Sequence, residues 1–130
     1  MSNRFEHANR AKYYYSGQSK AQNGKIYEIL DRKTSGIYEK FKIEPGWYSR
    51  SSFRPYYDVA EGDILIATAN VYIGYNVRVE VGNEYEIDSV HNGYRYEQVI
   101  KIAIGGRPYR ARHEYFKPGQ RTLRQKVDLI

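Results

Sequence analysis

The chain has 130 residues, which is enough for one ordinary domain or two very small ones. It contains no cysteine, which excludes disulfides and thiolate metal sites, and no apolar run long enough for a membrane span. The net charge of +6 favours polyanionic or acidic partners, and the polar first residues lack a signal-peptide core, so we expect a cytoplasmic protein (the host cytoplasm if it is viral).

Short alternating runs of apolar and polar residues, cut by glycine and asparagine, predict many short strands. The polar segment 2–12 predicts one or two helical turns. Strands are predicted next over 25–30, 38–43, 63–72, 76–81, 84–90, 95–104 and 108–112. Since glycine tolerates positive φ, turns are predicted at Asn23-Gly24, Ser35-Gly36, Gly82-Asn83, Asn92-Gly93 and Gly105-Gly106. This spacing indicates a small barrel or sandwich.

An internal repeat relates the two halves of the chain. Residues 24–29 (Gly-Lys-Ile-Tyr-Glu-Ile) resemble residues 82–87 (Gly-Asn-Glu-Tyr-Glu-Ile), at an offset that suits one five-stranded barrel per repeat. The other matches keep the same order: Tyr15-Ser16-Gly17 with Tyr72-Ile73-Gly74, Tyr38-Glu39 with Tyr96-Glu97, 41–43 with 100–102, Gly46 with Gly106, Tyr48 with Tyr109, and Phe53-Arg54-Pro55 with Phe116-Lys117-Pro118.

These features resemble small SH3-like barrel proteins that are common in bacteriophage genomes. The resemblance rests on Tyr72-x-Gly74, on 81–87, on 100–104 and on His113-Glu114-Tyr115-Phe116, and it is weaker over residues 11–53. It implies a phage-type accessory protein and carries no functional residue. We therefore expect an all-β chain of two tandem five-stranded SH3-like barrels packed together, at 1–60 and 61–118, with a short basic tail at 119–130.

Residues kept in both repeats are expected to serve the fold, so functional residues are sought among those that differ. The shared pairs Tyr27/Tyr85, Ile29/Ile87, Tyr38/Tyr96, Ile43/Ile102 and Phe53/Phe116 are predicted to form the core.

The first repeat is the more basic one, with a net charge of +5 over residues 1–60 against +1 over 61–130. Its cations are interleaved with aromatic residues, a pattern typical of grooves for polyanions with stacking platforms. The alternative is that Trp47 and the tyrosines fill a seam between the barrels and the lysines are merely solvated. The candidate surface comprises Lys12, Tyr14, Lys20, Lys25, Arg32, Lys33, Trp47, Arg50 and Arg54.

A second basic cluster lies near the end of the second repeat. Arginine suits phosphate contacts and protein interfaces because its planar fork binds in a bidentate manner. The alternative is pairing with Glu80, Glu84 or Glu114 across the sheet. The cluster comprises Arg107, Arg110, Arg112 and His113, with Arg121 and Arg124 in the tail.

No catalytic or metal-binding motif is found, so we expect neither an enzyme nor a bound cofactor or metal. The leading hypothesis is a phage or mobile-element protein that binds a host protein complex, nucleic acid or both, and thereby inhibits transcription, translation or defence. No membrane partner is expected. One alternative is a structural component of a virion or other assembly. Another is a small nuclease that uses His113, Glu114, Arg110 and Arg112.

Overall fold

The computed structural model describes residues 4–15 and 17–119. None of these residues lies in an α-helix; they form thirteen short strands and three 3-10 helices, at Arg50–Ser52, Tyr94–Tyr96 and His113–Tyr115. The predicted all-β class is therefore confirmed. A search of the described part of the chain for a helix long and apolar enough to cross a membrane finds none.

The chain divides into two compact units. Among the described residues, the N-terminal unit comprises 8–15, 17–57 and 92–98, and the C-terminal unit comprises 4–7, 58–91 and 99–119. Each unit is discontinuous, because a short segment from elsewhere in the chain completes it. The expected repeats at 1–60 and 61–118, their SH3-like identity and their mutual packing stay predictions.

The N-terminal unit contains two small antiparallel sheets, and a 3-10 helix at Arg50–Ser52 precedes its last strand. Alternation along the strands turns Ala11, Tyr13, Phe41, Ile43 and Phe53 into a buried core. One sheet has the order β2-β1-β6 and the other β3-β4-β5, where the strands are β1 (Arg10–Tyr13), β2 (Ile26–Glu28), β3 (Asp31–Ser35), β4 (Tyr38–Ile43), β5 (Gly46–Ser49) and β6 (Phe53–Tyr56).

The C-terminal unit is built around a five-stranded sheet of order β12-β11-β10-β7-β13 and a two-stranded hairpin, β8-β9. Leu65, Ile87, Ile100, Ile102 and Phe116 are buried in it. A 3-10 helix at His113–Tyr115 precedes the last strand. The strands are β7 (Ile64–Ala67), β8 (Val71–Gly74), β9 (Val77–Val79), β10 (Glu84–Asn92), β11 (Gln98–Ile104), β12 (Arg107–Arg110) and β13 (Phe116–Pro118).

The same backbone hydrogen bonds recur at corresponding positions of the two units. In the N-terminal unit, amide donors and carbonyl acceptors pair as Tyr13→Lys25, Gly24→Tyr13, Tyr14→Ser52, Ile29→Asn9 and Lys25→Gln22. In the C-terminal unit they pair as Ala67→Asn83, Gly82→Ala67, Thr68→Tyr115, Ile87→Asp63 and Asn83→Glu80. The strand registers agree with this, because Tyr13 lies opposite Phe53 and Ala67 opposite Phe116. Position by position, Lys12 therefore corresponds to Ile66, Tyr14 to Thr68, Gly24 to Gly82 and Arg54 to Lys117.

Several predicted element boundaries are wrong. Residues 10–13 form strand β1 rather than a helical turn, because they pair with both β2 and β6. The predicted strand 63–72 is interrupted at 68–70 by a bend, and the predicted strand 95–104 begins only at Gln98. Strands β3, β5, β6 and β13 were not predicted.

One pair of expected core residues is also wrong. Tyr38 is 65% exposed and Tyr96 44% exposed, whereas Ile43, Ile102, Phe53 and Phe116 are fully buried. Tyr38 alternates along β4 with Lys40 and Lys42, away from buried Phe41 and Ile43. Tyr96 precedes its strand, in a turn with a positive φ of 64°. Of the other expected core residues, Tyr27 and Ile87 are buried and Tyr85 and Ile29 are half-buried.

Candidate functional site: an arginine and tyrosine platform

The outer face of the β2-β1-β6 sheet supports the candidate site. Alternation along β1 buries Ala11 and Tyr13 in the core and turns Lys12 outward, where it lies opposite Arg54 of β6. Residues 92–98 belong to the same unit and pack on this face. The Lys12 ammonium donates a hydrogen bond to the Asn92 side-chain oxygen. The rings of Tyr14 and Tyr96 lie 5.9 Å apart, centroid to centroid.

The segment 92–98 is anchored by a buried side chain. The Gln98 amide group donates to the Tyr57 carbonyl and accepts from the Tyr57 amide, both at 2.8 Å. Between Gln98 and the outer face, Arg95 and Tyr96 both adopt left-handed backbone conformations, with φ of 55° and 64°. Such conformations cost about 1–3 kcal/mol each in a non-glycine residue, and they persist only when surrounding contacts impose them. Strain of this kind is concentrated at functional sites.

The result is a cluster of two arginines and three tyrosines, here called the Tyr14 platform: Tyr14, Arg54, Tyr94, Arg95 and Tyr96. The guanidinium carbons of Arg54 and Arg95 lie 5.4 and 5.8 Å from the Tyr14 ring centroid. Arg95 also lies 5.0 Å from the Tyr94 ring centroid. All three distances are within the range of cation–π attraction. The platform therefore holds positive charge and flat aromatic surface together.

Much of the platform faces solvent. Tyr94 is 79% exposed and Tyr96 44% exposed, so their ring faces are accessible to a ligand. A hydrogen bond with the Tyr94 side chain, followed by the electrostatic influence of Tyr94 and Tyr14, raises the pKa of Arg95 above its ordinary value. Arg95 therefore stays fully charged at any physiological pH.

Gly24 makes room for the platform. Its φ of +79° favours glycine, and a Cβ at this position would lie 3.1–3.4 Å from atoms of the Tyr96 ring. The corresponding Gly82 of the C-terminal unit has a φ of +89°, but nothing lies within 4 Å of its Cβ position. Of these two corresponding turn glycines, only Gly24 thus lies close to an aromatic ring.

Three predicted site residues lie at or beside the platform. Tyr14 and Arg54 belong to it, and Lys12 lies beneath Asn92, only 6% exposed. Burial lowers the pKa of Lys12, and its ammonium lies 5.4 Å from the Tyr56 ring centroid. We therefore assign Lys12 to the support of the face rather than to ligand contact.

The sequence prediction missed Tyr94, Arg95 and Tyr96. They were placed in or before a long alternating strand, and Tyr96 was assigned to the core. A usable signal was present, because Tyr94 and Arg95 differ from Gly36 and Ile37, which precede the matching Tyr38 in the first repeat. By the rule that function resides in unshared residues, both qualified.

The other candidates of the N-terminal unit lie elsewhere. Arg32 donates to the Ala8 carbonyl at 2.6 Å, and Arg50 pairs with Glu39 at 3.3 Å, so both have structural partners. Lys33 lies 4.2 Å above the Trp47 ring centroid. Lys25 is exposed beside the Tyr27 ring, and Lys20 is exposed in the loop before β2.

The second basic cluster is only partly described. Arg107 and Arg110 are exposed on β12, where Arg110 lies opposite Lys101. Arg112 lies beyond the strand, with its guanidinium 3.9 Å from Glu114, two residues along the chain and not across the sheet. Arg121 and Arg124 lie outside the described residues.

The residues of the nuclease alternative also belong to the C-terminal unit. His113 is 5% exposed, and its burial, then the charges of Arg4 and Arg110, lower its pKa to about 3. The imidazole is thus neutral near pH 7. Glu114 lies 3.8 Å from Arg4 and 3.9 Å from Arg112. A search of the described residues finds no group of three or more His, Asp or Glu placed to hold a metal ion.

In the C-terminal unit, the position corresponding to the platform is an open groove of about 400 Å³. Its lining includes Ile66, Thr68, Val81, Gly82 and Lys117. Thus an isoleucine, a threonine and a lysine occupy the positions of Lys12, Tyr14 and Arg54.

Compared with known proteins, the chain matches no family model, no curated protein and no solved structure.

Proposed function

We propose that the chain is a non-enzymatic binding protein for single-stranded nucleic acid, and that the Tyr14 platform is its contact surface. The observation that carries this proposal is the placement of two guanidinium groups over the Tyr14 ring, beside the exposed rings of Tyr94 and Tyr96. Unpaired bases stack on aromatic rings and on arginine planes, and each stacked base contributes about 1–3 kcal/mol.

Single strands fit this surface better than a duplex does. Stacking on Tyr94 or Tyr96 requires a base whose flat face is free, and in a duplex these faces are covered by neighbouring bases. Arg54 and Arg95 supply charge for the phosphates, and their planar groups add stacking surface. Sequence preference is expected to be weak, because every base has a face to stack.

We also propose that each unit is an SH3-like barrel and that the chain is a phage-type accessory protein with two copies of this barrel. The five recurring backbone hydrogen bonds and the 3-10 helix before the last strand of each unit support the duplication. In the host cytoplasm, a protein of this kind would act by occupying nucleic acid that a host machine uses.

The test is the affinity for a fluorescent oligothymidylate of about 12 nucleotides, a length within the usual site size, measured by fluorescence anisotropy. In the double variant Tyr94→Ser, Tyr96→Ser we expect a loss of at least about fivefold, the minimum for one lost stacking contact. The matched control is Tyr75→Ser, which removes a 94% exposed tyrosine of the C-terminal unit. Equal affinity of the double variant and the wild type would refute the platform as the contact surface.

A host protein is the second candidate partner, and one surface of the C-terminal unit favours it. Tyr72 and Tyr75 of the β8-β9 hairpin region are 73% and 94% exposed, and Arg78 lies directly across the ladder from Tyr72. Tyrosine and arginine are, with tryptophan, the residues enriched at the energetic centres of protein interfaces. The Tyr75→Ser variant therefore also tests this candidate. If it no longer captures a host protein on affinity purification but still binds the oligonucleotide, the hairpin is assigned to protein binding.

A further inference from the structure

Three lysines share the outer face of the second sheet of the N-terminal unit. On β3 and β4, Lys33 lies directly opposite Lys40, and on β4 and β5, Lys42 lies directly opposite Trp47. Tyr38 lies on the same face of β4, because side chains two residues apart point the same way. These five residues, Lys33, Tyr38, Lys40, Lys42 and Trp47, are here called the lysine face.

The lysine face is electrostatically unfavourable by itself. Like charges directly opposite each other on an antiparallel ladder destabilise it. Asp31 lies across from Lys42, but its carboxylate also accepts a hydrogen bond from the Arg32 amide at 2.8 Å. Glu39 alternates to the other face of β4 and pairs with Arg50. An anion that lies across the three ammonium groups therefore stabilises the lysine face.

Trp47 fixes one of these ammonium groups. The Lys33 nitrogen lies 4.2 Å from the Trp47 ring centroid, well within the range of cation–π attraction. This contact lowers the conformational freedom of a flexible side chain, so less entropy is lost when Lys33 binds an anion. Tyr38, 65% exposed, adds an accessible ring at the start of the same strand.

We infer that the lysine face binds phosphate groups of the same single-stranded nucleic acid, as a second contact surface with Tyr38 as a further stacking ring. This inference rests on the proposed function. Neighbouring strands set the lysines side by side, which suits successive phosphates of an extended backbone better than a single small anion. Each phosphate neutralised contributes about 0.7 to the salt dependence of single-strand binding.

The test uses the triple variant Lys33→Gln, Lys40→Gln, Lys42→Gln and the same labelled oligothymidylate. The slope of log affinity against log salt concentration is expected to become shallower by about 2, since three phosphate contacts are lost. The matched control removes three cations of the C-terminal unit, Lys101→Gln, Arg107→Gln and Lys117→Gln, for the same change in net charge. Equal slopes for the two triple variants would overturn the inference, and circular dichroism establishes that both are folded.

Trp47 supplies a second measurement, because it is the single tryptophan of the chain. Oligonucleotide binding is expected to change its fluorescence, and the change is expected to be largely lost in the triple variant. A wild-type protein that binds the oligonucleotide through Tyr94 and Tyr96, with unchanged Trp47 emission, would contradict the inference but not the proposed function. A wild-type protein that does not bind the oligonucleotide would instead contradict the proposed function. Binding to vesicles of anionic lipid with none to the oligonucleotide would overturn both.

Discussion

The N-terminal and C-terminal units share a backbone frame and differ in what they present on it. Both have five equivalent backbone hydrogen bonds and a phenylalanine at the start of the closing strand, Phe53 and Phe116. On the outer face of that frame, Lys12, Tyr14 and Arg54 in one unit correspond to Ile66, Thr68 and Lys117 in the other. The comparison indicates that the frame depends on the buried positions, while the outward positions are open to specialisation.

The 3-10 helices that precede the two last strands provide a second contrast. Arg50 begins the helix of the N-terminal unit and is exposed, in an ion pair with Glu39. His113 begins the helix of the C-terminal unit and is buried, in an environment that Arg4 and Arg110 make positive. The same local element thus carries a surface charge in one unit and a buried neutral imidazole in the other.

The largest expected effect concerns the pH dependence of stability, and it belongs to the C-terminal unit. The pKa of His113 is about 3 in the folded chain, against about 6.5 for an ordinary histidine. Below pH 6.5 the unfolded chain gains a proton that the folded chain does not accept. Stability present above pH 6.5 is therefore lost as the pH falls toward 3, by about 2 kcal/mol at pH 5.

Urea unfolding of wild type and His113→Gln at pH 7 and pH 5 measures this effect. The substitution is expected to lower stability at both pH values, but to remove about 2 kcal/mol of the difference between them. His91→Gln, at an exposed position, is the control and should leave the difference as in the wild type. If His113→Gln retained the full pH difference, the assignment of His113 as a buried neutral group would be wrong.

A smaller effect separates the two turn glycines. Alanine at Gly24 or Gly82 must adopt a positive φ, which costs about 1 kcal/mol of stability in either unit. Only at Gly24 does the new Cβ also press on the Tyr96 ring. We therefore expect Gly24→Ala, but not Gly82→Ala, to weaken oligonucleotide binding, while thermal unfolding shows similar losses for both. Equal binding by the two variants would show that the position of Tyr96 is unimportant.

The sequence predicted the parts of the fold that have local signals. The all-β class follows from alternation, and Gly24 and Gly82 were identified as turns that indeed adopt positive φ. Strand β1 could not be recognised locally, because its central Lys12 has the chemistry of a solvated residue but is buried, with a hydrogen bond to Asn92, which lies 80 residues away in the chain. The burial of Lys12 thus depends on a tertiary contact that the local sequence does not show.

The candidate site, like the fold, was predicted only where its residues give a local signal. Tyr14 and Arg54 were selected because cations alternate with aromatic residues in the first repeat. Tyr94, Arg95 and Tyr96 were not, since their alternating pattern resembles a strand. They instead form a short 3-10 helix next to Gln98, whose amide is bound to the Tyr57 backbone, a contact between residues 41 apart that no local pattern contains.

The most direct measurement is the oligothymidylate affinity of a variant in which the N-terminal unit carries the residues that the C-terminal unit has at the corresponding positions. The double variant Tyr14→Thr, Arg54→Lys keeps the net charge and removes one stacking ring and one planar cation. We expect its affinity for the oligothymidylate to fall about 5- to 150-fold, as for the loss of one stacked base. The reciprocal variant Thr68→Tyr, Lys117→Arg should bind as the wild type does. If the first variant binds with wild-type affinity while remaining folded, the platform is not the nucleic-acid surface.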